Sequence, residues 1–375
     1  MINDYVELHA ASAFSFLRGA SFPEQLAERA AELGLTAVAL LDRNGVYGAQ
    51  RFSAACREQG VRPIIGADLT LEDGSLVPVL VENRTGYANL CSLLTQAHLR
   101  SEKGSCAIRW KEIPEFREGL VALLGSAHVW CAGDGVPPSR TFPAIHPVRE
   151  RPRKRKVHRG EEAATSTRDV CATRQLVNRA QRLLDLFGRE RLYVELQRHL
   201  VRGEERINRQ LIELAEKHRL PLLATNGVQH ATPAGREVLD VFTCIREHTH
   251  LDAAGTRLTI NAERHLKSAA EMKALFRDRP EAIANTVRLA ERLEFSLENI
   301  GYHFPDYPVP EGHSMDSFLR TIVLFGAQQR YESITTKVKD QLQFELALIQ
   351  KLGFSGYFLI VWDIVNFCRE NNIMV

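Results

Sequence analysis

Residues 36–68 read TAVALLDRNGVYGAQRFSAACREQGVRPIIGAD, and this stretch decides the fold class. TAVALLD (36–42) is a short apolar run without the alternation of a half-exposed strand, as expected for a strand buried on both faces. YGAQRFSAACREQG (47–60) is a helix closed by Gly60, and RPIIGAD (62–68) is a second buried strand. Strand, helix and strand within about thirty residues make a βαβ unit, whose strands lie parallel with the helix on one face.

The pattern extends in both directions. Upstream, a strand ending at His9 is followed by SFPEQLAERAAELG (21–34). There Ser21 and Glu24 make a capping-box pattern, Pro23 suits the first turn and Gly34 the stop. Downstream come a strand in SLVPVLVEN (75–83), a helix in GYANLCSLLTQAHL (86–99), and a strand in LVALLG (120–125). Residues 127–170 interrupt the alternation, being rich in Pro, Gly, Ser and charge. It resumes with RLYVEL (191–196), the helix RINRQLIELAEKH (206–218), the strand LPLLATN (220–226) and the helix GREVLDVFTCIRE (235–247). About seven strand candidates alternate with helices. The expected architecture is an α/β barrel with one strand fewer than the eight-stranded form, and a doubly wound open sheet is the alternative.

Beyond residue 270 the pattern turns helical, through AAEMKALF (269–276), EAIANTVRLAERLEF (281–295), MDSFLRTIVLFGAQQRY (315–331) and QLQFELALIQKLG (341–353). A proline-punctuated connector, YHFPDYPVPEG (302–312), lies between the second and third. Two domains are therefore expected: a barrel over 1–270 with an irregular insertion at 127–170, and a helical segment over 271–375. NIMV at the end reads as a strand just beginning, so the chain is expected to be a piece of a longer one.

Composition narrows the class. The 375 residues are 45% hydrophobic and 25% charged, with a net charge of +2, so overall charge gives no argument for nucleic-acid binding. The seven cysteines include no C-x-x-C pair and are odd in number, as expected of reduced thiols. MINDYVEL lacks a basic leader region, and the longest apolar run, GYFLIVWDIVNFC (356–368), is too short for a bilayer and carries Asp363. A cytoplasmic protein that engages no membrane is expected. RERPRKRKVHR (149–159) holds seven Lys or Arg against one Glu. It suits contact with DNA phosphates, but a solvated insertion loop is the preferred reading, since it has no aromatic residue for base stacking.

In parallel α/β folds the reacting groups sit where strands end. Those positions are His9, Asp42, Asp68, Ser126, His199 and Asn226. Two histidines and two carboxylates from separate strand ends are ligand types for Zn²⁺, Mn²⁺ or Fe²⁺, although both residue types also cap helices at such junctions. No phosphate-binding glycine loop, nucleophile elbow, H-E-x-x-H or dinucleotide fingerprint is present.

Eight ordered stretches carry a resemblance. ELHAASAFSFLRGAS (7–21), ALLDRNGVYGAQRF (39–52), RPIIGADLTLEDG (62–74), GYANLCSLL (86–94), LYVELQRH (192–199), PLLATNGVQHATP (221–233), FPDYPVP (304–310) and GFSGYFLIVWDIVNFC (353–368) resemble the N-terminal part of bacterial C-family DNA polymerases, the alpha subunits of DNA polymerase III. SAFSFLRGAS, LLATNGV and DVFTCIREHT look most like the error-prone, damage-tolerance branch. The resemblance implies a polymerase-and-histidinol-phosphatase (PHP) domain, a distorted seven-stranded barrel, followed by the start of the polymerase palm.

In metal-binding members that barrel holds a metal cluster. By resemblance His9 keeps the first ligand of H-x-H, while Ala11 stands at the second and Arg18 at the following Asp. Asp42 is kept and its neighbouring His is Arg43; Asp68 stands for a Glu, Ser126 for a Cys or His, and His199 is kept. Gly227 and Gln229 replace a final D-x-H, with His230 one step late. Only His9, Asp42, Asp68 and His199 remain as possible, vestigial ligands. Arg18 and Arg43 are expected to pair with Asp42 and Asp68 in a metal-free barrel.

The resemblance further implies a DNA-directed DNA polymerase that serves replication, repair and translesion synthesis. Its palm aspartates and Mg²⁺ lie beyond residue 375, so no catalytic residue falls within the chain. Primer–template DNA, deoxynucleoside triphosphates, a sliding clamp and damage-response polymerase partners are the implied partners. The alternatives are a stand-alone metal-dependent phosphoesterase or 3′–5′ exonuclease, and a non-catalytic interaction module using its helical tail.

Overall fold

A computed structural model describes residues 5–102, 104–125, 175–300 and 305–374. Ser126, the insertion at 127–170 and its basic run lie outside the described residues. The chain divides into two units, Met1–Asn299 and Ile300–Val375.

The first unit is built on seven strands: β1 (Glu7–Ala10), β2 (Ala37–Arg43), β3 (Arg62–Thr70), β4 (Leu76–Val81), β5 (Leu120–Gly125), β6 (Leu192–Leu196) and β7 (Leu222–Ala224). They lie side by side in chain order within one sheet. A doubly wound sheet needs a reversal of strand order, so that alternative fails and the barrel-type winding holds. The parallel expectation needs one correction: β4 runs antiparallel to both β3 and β5, while the remaining neighbours are parallel. The physical reason is local. Five residues separate β3 from β4, too few for a crossover. Asp73 and Gly74 form a turn with Gly74 at φ +79, and Leu71 N–H donates to the Ser75 carbonyl (2.8 Å).

Alternate side chains enter two cores. Val38, Leu40, Ile65 and Leu69 pack outward against α1 (Pro23–Glu32), α2 (Ala49–Glu58) and α3 (Arg84–Arg100). Ala39, Leu41, Ile64, Leu80, Leu123 and Leu223 pack inward. Short α4 (Ile113–Phe116), a helix α5 over 175–187, α6 (Glu204–His218), α7 (Gly235–Arg246), short α8 (Leu251–Ala254) and α9 (Ala269–Leu275) complete the series up to the sequence-predicted boundary.

That boundary at 270 moves to Asn299/Ile300. Helix α10 (Pro280–Arg292) and the residue following it put Leu289, Ala290 and Leu293 into the inner core with Leu41, Leu123 and Leu223. The Arg62 guanidinium, at the start of β3, donates to the Ala290 and Leu293 carbonyls (2.8 Å each), satisfying acceptors that a helix end leaves bare. An amphipathic period shows that a helix buries one face, not which core receives it. The cap of α1 also moves by one residue. Phe22 is the N-cap, with its N–H bonded to Gln25 Oε1 (2.9 Å), whereas the Ser21 hydroxyl accepts from Ala231 N–H. Gly34 ends the helix at φ +68, as the sequence predicts.

The second unit contains α11 (Met315–Arg330), α12 (Thr336–Lys351) and α13 (Ser355–Glu370). Ser314 caps α11 and Thr335 caps α12 through their hydroxyls. The Ser355 hydroxyl donates to Asp316 (2.5 Å), and Asp363 is near enough to Tyr307 to help burial raise its phenol above the usual value. Leu319, Ala327 and Leu359 are buried, while Phe325, Phe344, Leu348, Ile364 and Phe367 are exposed. Among the described residues no single helix is long and apolar enough to cross a membrane.

Candidate functional site at the strand ends

The C-terminal ends of β1, β3 and β6 bring His9 and Asp68, which the sequence singles out, together with a carboxylate that it does not, Glu195. His9 follows Glu7 and Leu8 in β1. Its ring meets carboxylates on both sides: Nδ1 lies 2.6 Å from Glu195 Oε1 on β6, and Nε2 lies 3.2 Å from Asp68 Oδ1 on β3. Burial by itself lowers the pKa of this ring, yet Glu195 and Asp68 hold it well above the ordinary histidine value. The two flanking carboxyl groups thus favour the protonated form of the His9 ring. Thr225, just after β7, donates its hydroxyl to the same Glu195 oxygen (2.5 Å).

Glu7 is also fully buried. It accepts from the Tyr5 hydroxyl (2.6 Å), the His9 N–H (2.9 Å) and the Asn226 N–H (2.9 Å). Burial pushes its pKa up to about 7 against the pull of those donors, and burial beside Glu7 raises Tyr5 well above the usual phenol value.

Asp42 faces a different set of groups. Its oxygens take the Ser12 N–H (2.8 Å), the Ser12 hydroxyl (2.8 and 3.0 Å) and the Ser15 hydroxyl (2.8 Å). The side chain therefore pins the β1–α1 loop. Ser12 and Ser15 reach Asp42 from a tight local loop. Burial raises the Asp42 pKa, opposed by those hydroxyls. Arg43 bonds Ser15 Oγ through its N–H (3.0 Å) and Thr70 Oγ1 through Nε (3.2 Å). Asp68 has His9 as its ion-pair partner.

His199 stands apart from that cluster. Its Nδ1 meets Glu204 Oε1 (2.7 Å), the first residue of α6, and its Nε2 meets the Asn226 carbonyl (2.8 Å). Burial, with Arg264 nearby, lowers its pKa, while Glu204 and the carbonyl act in the opposite sense. Asn226 Nδ2 donates to the carbonyls of Glu263 and His265 (2.7 and 2.6 Å). Gly227, at the first position of the replaced D-x-H, has φ +53, and a Cβ there would stand 2.6 Å from Gln197 Nε2. Arg264 reaches into the same corner, 3.3 Å from the Gly227 carbonyl.

Of the sequence-predicted set, the structure joins His9 to Asp68, sets Asp42 against serines and gives His199 its own partner. Glu7, Glu195, Glu204 and Arg264 escape the sequence reading. A signal existed for two of them: YVEL and LYVEL each hold a glutamate inside an apolar strand, where a charge stays only if it is paired. A ligating histidine needs one ring nitrogen turned to the ion. Here both nitrogens of His9 and of His199 face oxygen atoms, and Asp42 already accepts from three donors. Among the described residues no group of three or more His, Cys, Asp or Glu is arranged to hold a metal ion.

The PHP domain family matches residues 7–199, just over half of the chain, and the bacterial DNA polymerase III alpha NTPase domain matches 317–375. An error-prone DNA polymerase of Symbiobacterium thermophilum is 36% identical over 370 residues, covering 98% of this chain and 32% of that protein. One from Caulobacter vibrioides is 35% identical over 374 residues, covering 99% and 30%. The chain spans about a third of the length of these relatives. Among solved structures, an amidohydrolase from Chromobacterium violaceum aligns with a TM-score of 0.37 and 11% identity, over 60% of this chain and 88% of that one. On these matches the chain belongs to the PHP domain family, followed by a segment of the bacterial DNA polymerase III alpha family.

Proposed function

We propose that the chain is the N-terminal part of an error-prone DNA polymerase, and that its barrel is a scaffold for the polymerase core and not a hydrolase. The observation that carries this reading is continuity. One relative after another with that activity in its name aligns over essentially the whole chain, across both units, at 33–36% identity. On this reading His9, Asp42, Asp68 and His199 are vestigial metal positions turned to structural use. The palm carboxylates and their Mg²⁺ belong to the part of the relatives that this chain does not span. Primer–template DNA, deoxynucleoside triphosphates, the sliding clamp and the damage-response partners are assigned to the full-length enzyme, working in the cytoplasm in repair and translesion synthesis.

The test is primer extension. The purified 375-residue chain, given primer–template, the four deoxynucleoside triphosphates and Mg²⁺, is expected to add no nucleotide. Extension by this chain alone would place an active site within it and overturn the assignment. The same preparation, offered single-stranded DNA with Mn²⁺ or Zn²⁺, is expected to release no mononucleotide. Release that is lost in His9→Ala would favour the exonuclease.

A further inference from the structure

A barrel made of one sheet must close where its first and last strands meet. Among the described residues no regular ladder does this between β1 and β7. The seam has one isolated parallel bridge, Ala10 with Val228, made by Val228 N–H to the His9 carbonyl and Ala11 N–H to the Val228 carbonyl (2.8 Å each). β7 itself is three residues long. Backbone groups left over at such a seam need other partners.

Side chains supply them at both ends. At the N-terminal end, α10 spans the gap: Asn285 Nδ2 donates to the Leu222 carbonyl on β7 (2.8 Å), and Val6 N–H, just before β1, donates to Thr286 Oγ1 (3.1 Å). At the C-terminal end, Glu7 on β1 takes the Asn226 N–H beyond β7, as a strand carbonyl would. Glu195 on β6 then ties Thr225 to His9 through a single oxygen. Two carboxylates, each fully buried, thus hold β1, β6 and β7 together.

We propose that Glu7, backed by the Glu195–His9 pair, is the lock that closes the barrel at the β1–β7 seam, and that the barrel opens first along this seam. The inference is independent of the polymerase assignment, since it concerns only the first unit. Few backbone bonds and several charge-dependent ones make a low-cost opening compared with the seven-residue β2–β3 ladder.

Amide hydrogen exchange tests it. In Glu7→Gln, an amide NH₂ replaces one acceptor that faces N–H and O–H donors. Exchange in peptides covering 5–12 and 222–232 is expected to quicken about tenfold, with 37–43 and 62–70 unchanged. Thr225→Val, nearly isosteric, is expected to give a smaller, severalfold acceleration in the same two peptides. It carries the comparison alone if Glu7→Gln does not fold. Equal acceleration in the β2–β3 ladder, or wild-type exchange at the seam in both variants, would overturn the proposal.

Discussion

Replacing His9 with Leu is the most informative perturbation of the site. The ring is buried, it lies 2.6 Å from Glu195 and 3.2 Å from Asp68, and Glu195 is fully buried. Leucine keeps the volume and deletes the ring that lies between these two carboxylates. Breaking a buried ion pair by removing one partner costs about 3–5 kcal/mol, because the remaining charge stays in the interior uncompensated. Loss near the upper end is expected here, since one cation serves two anions. Urea unfolding followed by far-UV circular dichroism reads it, as a lower midpoint at an unchanged slope. The loss is expected to be the same with and without chelator. Adding Glu195→Gln to His9→Leu should recover about 2 kcal/mol of it, because the stranded charge is then gone. A loss below about 1 kcal/mol in chelator would refute the ion-pair reading. So would a loss that appears only when zinc or manganese is supplied, since His9 would then act by holding metal.

Leu289→Ala should destabilise the barrel by about 2–5 kcal/mol, measured by the same urea titration, if α10 belongs to the inner core. A cost near zero would return that helix to the second unit. His230 is buried, and burial lowers its pKa to about 4, so protonation favours the unfolded chain. Stability is therefore expected to be full above about pH 6.5 and to fall by about 3 kcal/mol as pH drops toward 4. His230→Gln should flatten that part of the pH profile, and a variant with the wild-type slope would reject the assignment.

The strands were legible because they are apolar runs: AVALL and LVALL have nowhere to go but between layers. The hairpin at Asp73–Gly74 was equally local, in a five-residue link too short for a crossover, yet the βαβ rhythm on either side hid it. The allegiance of α10 was not legible, because Leu289 and Leu293 mark an apolar face without naming the surface that covers it. At the site, sequence position found His9 and Asp68 and set Asp42 beside them. It could not foresee that Ser12 and Ser15 would occupy Asp42, which depends on the path of one loop.

The sequence by itself determined the seven strands, their buried character and the strand ends at which chemistry was to be sought, since these follow from apolar runs and turn residues within a few positions of each other. Tertiary structure alone decided what the strand ends became. The state of His9 is set by Glu195, 186 residues away, and the seam beside it by Glu7 reaching Asn226, 219 residues away. A charge in the interior takes its meaning from whatever the fold brings within three ångströms of it.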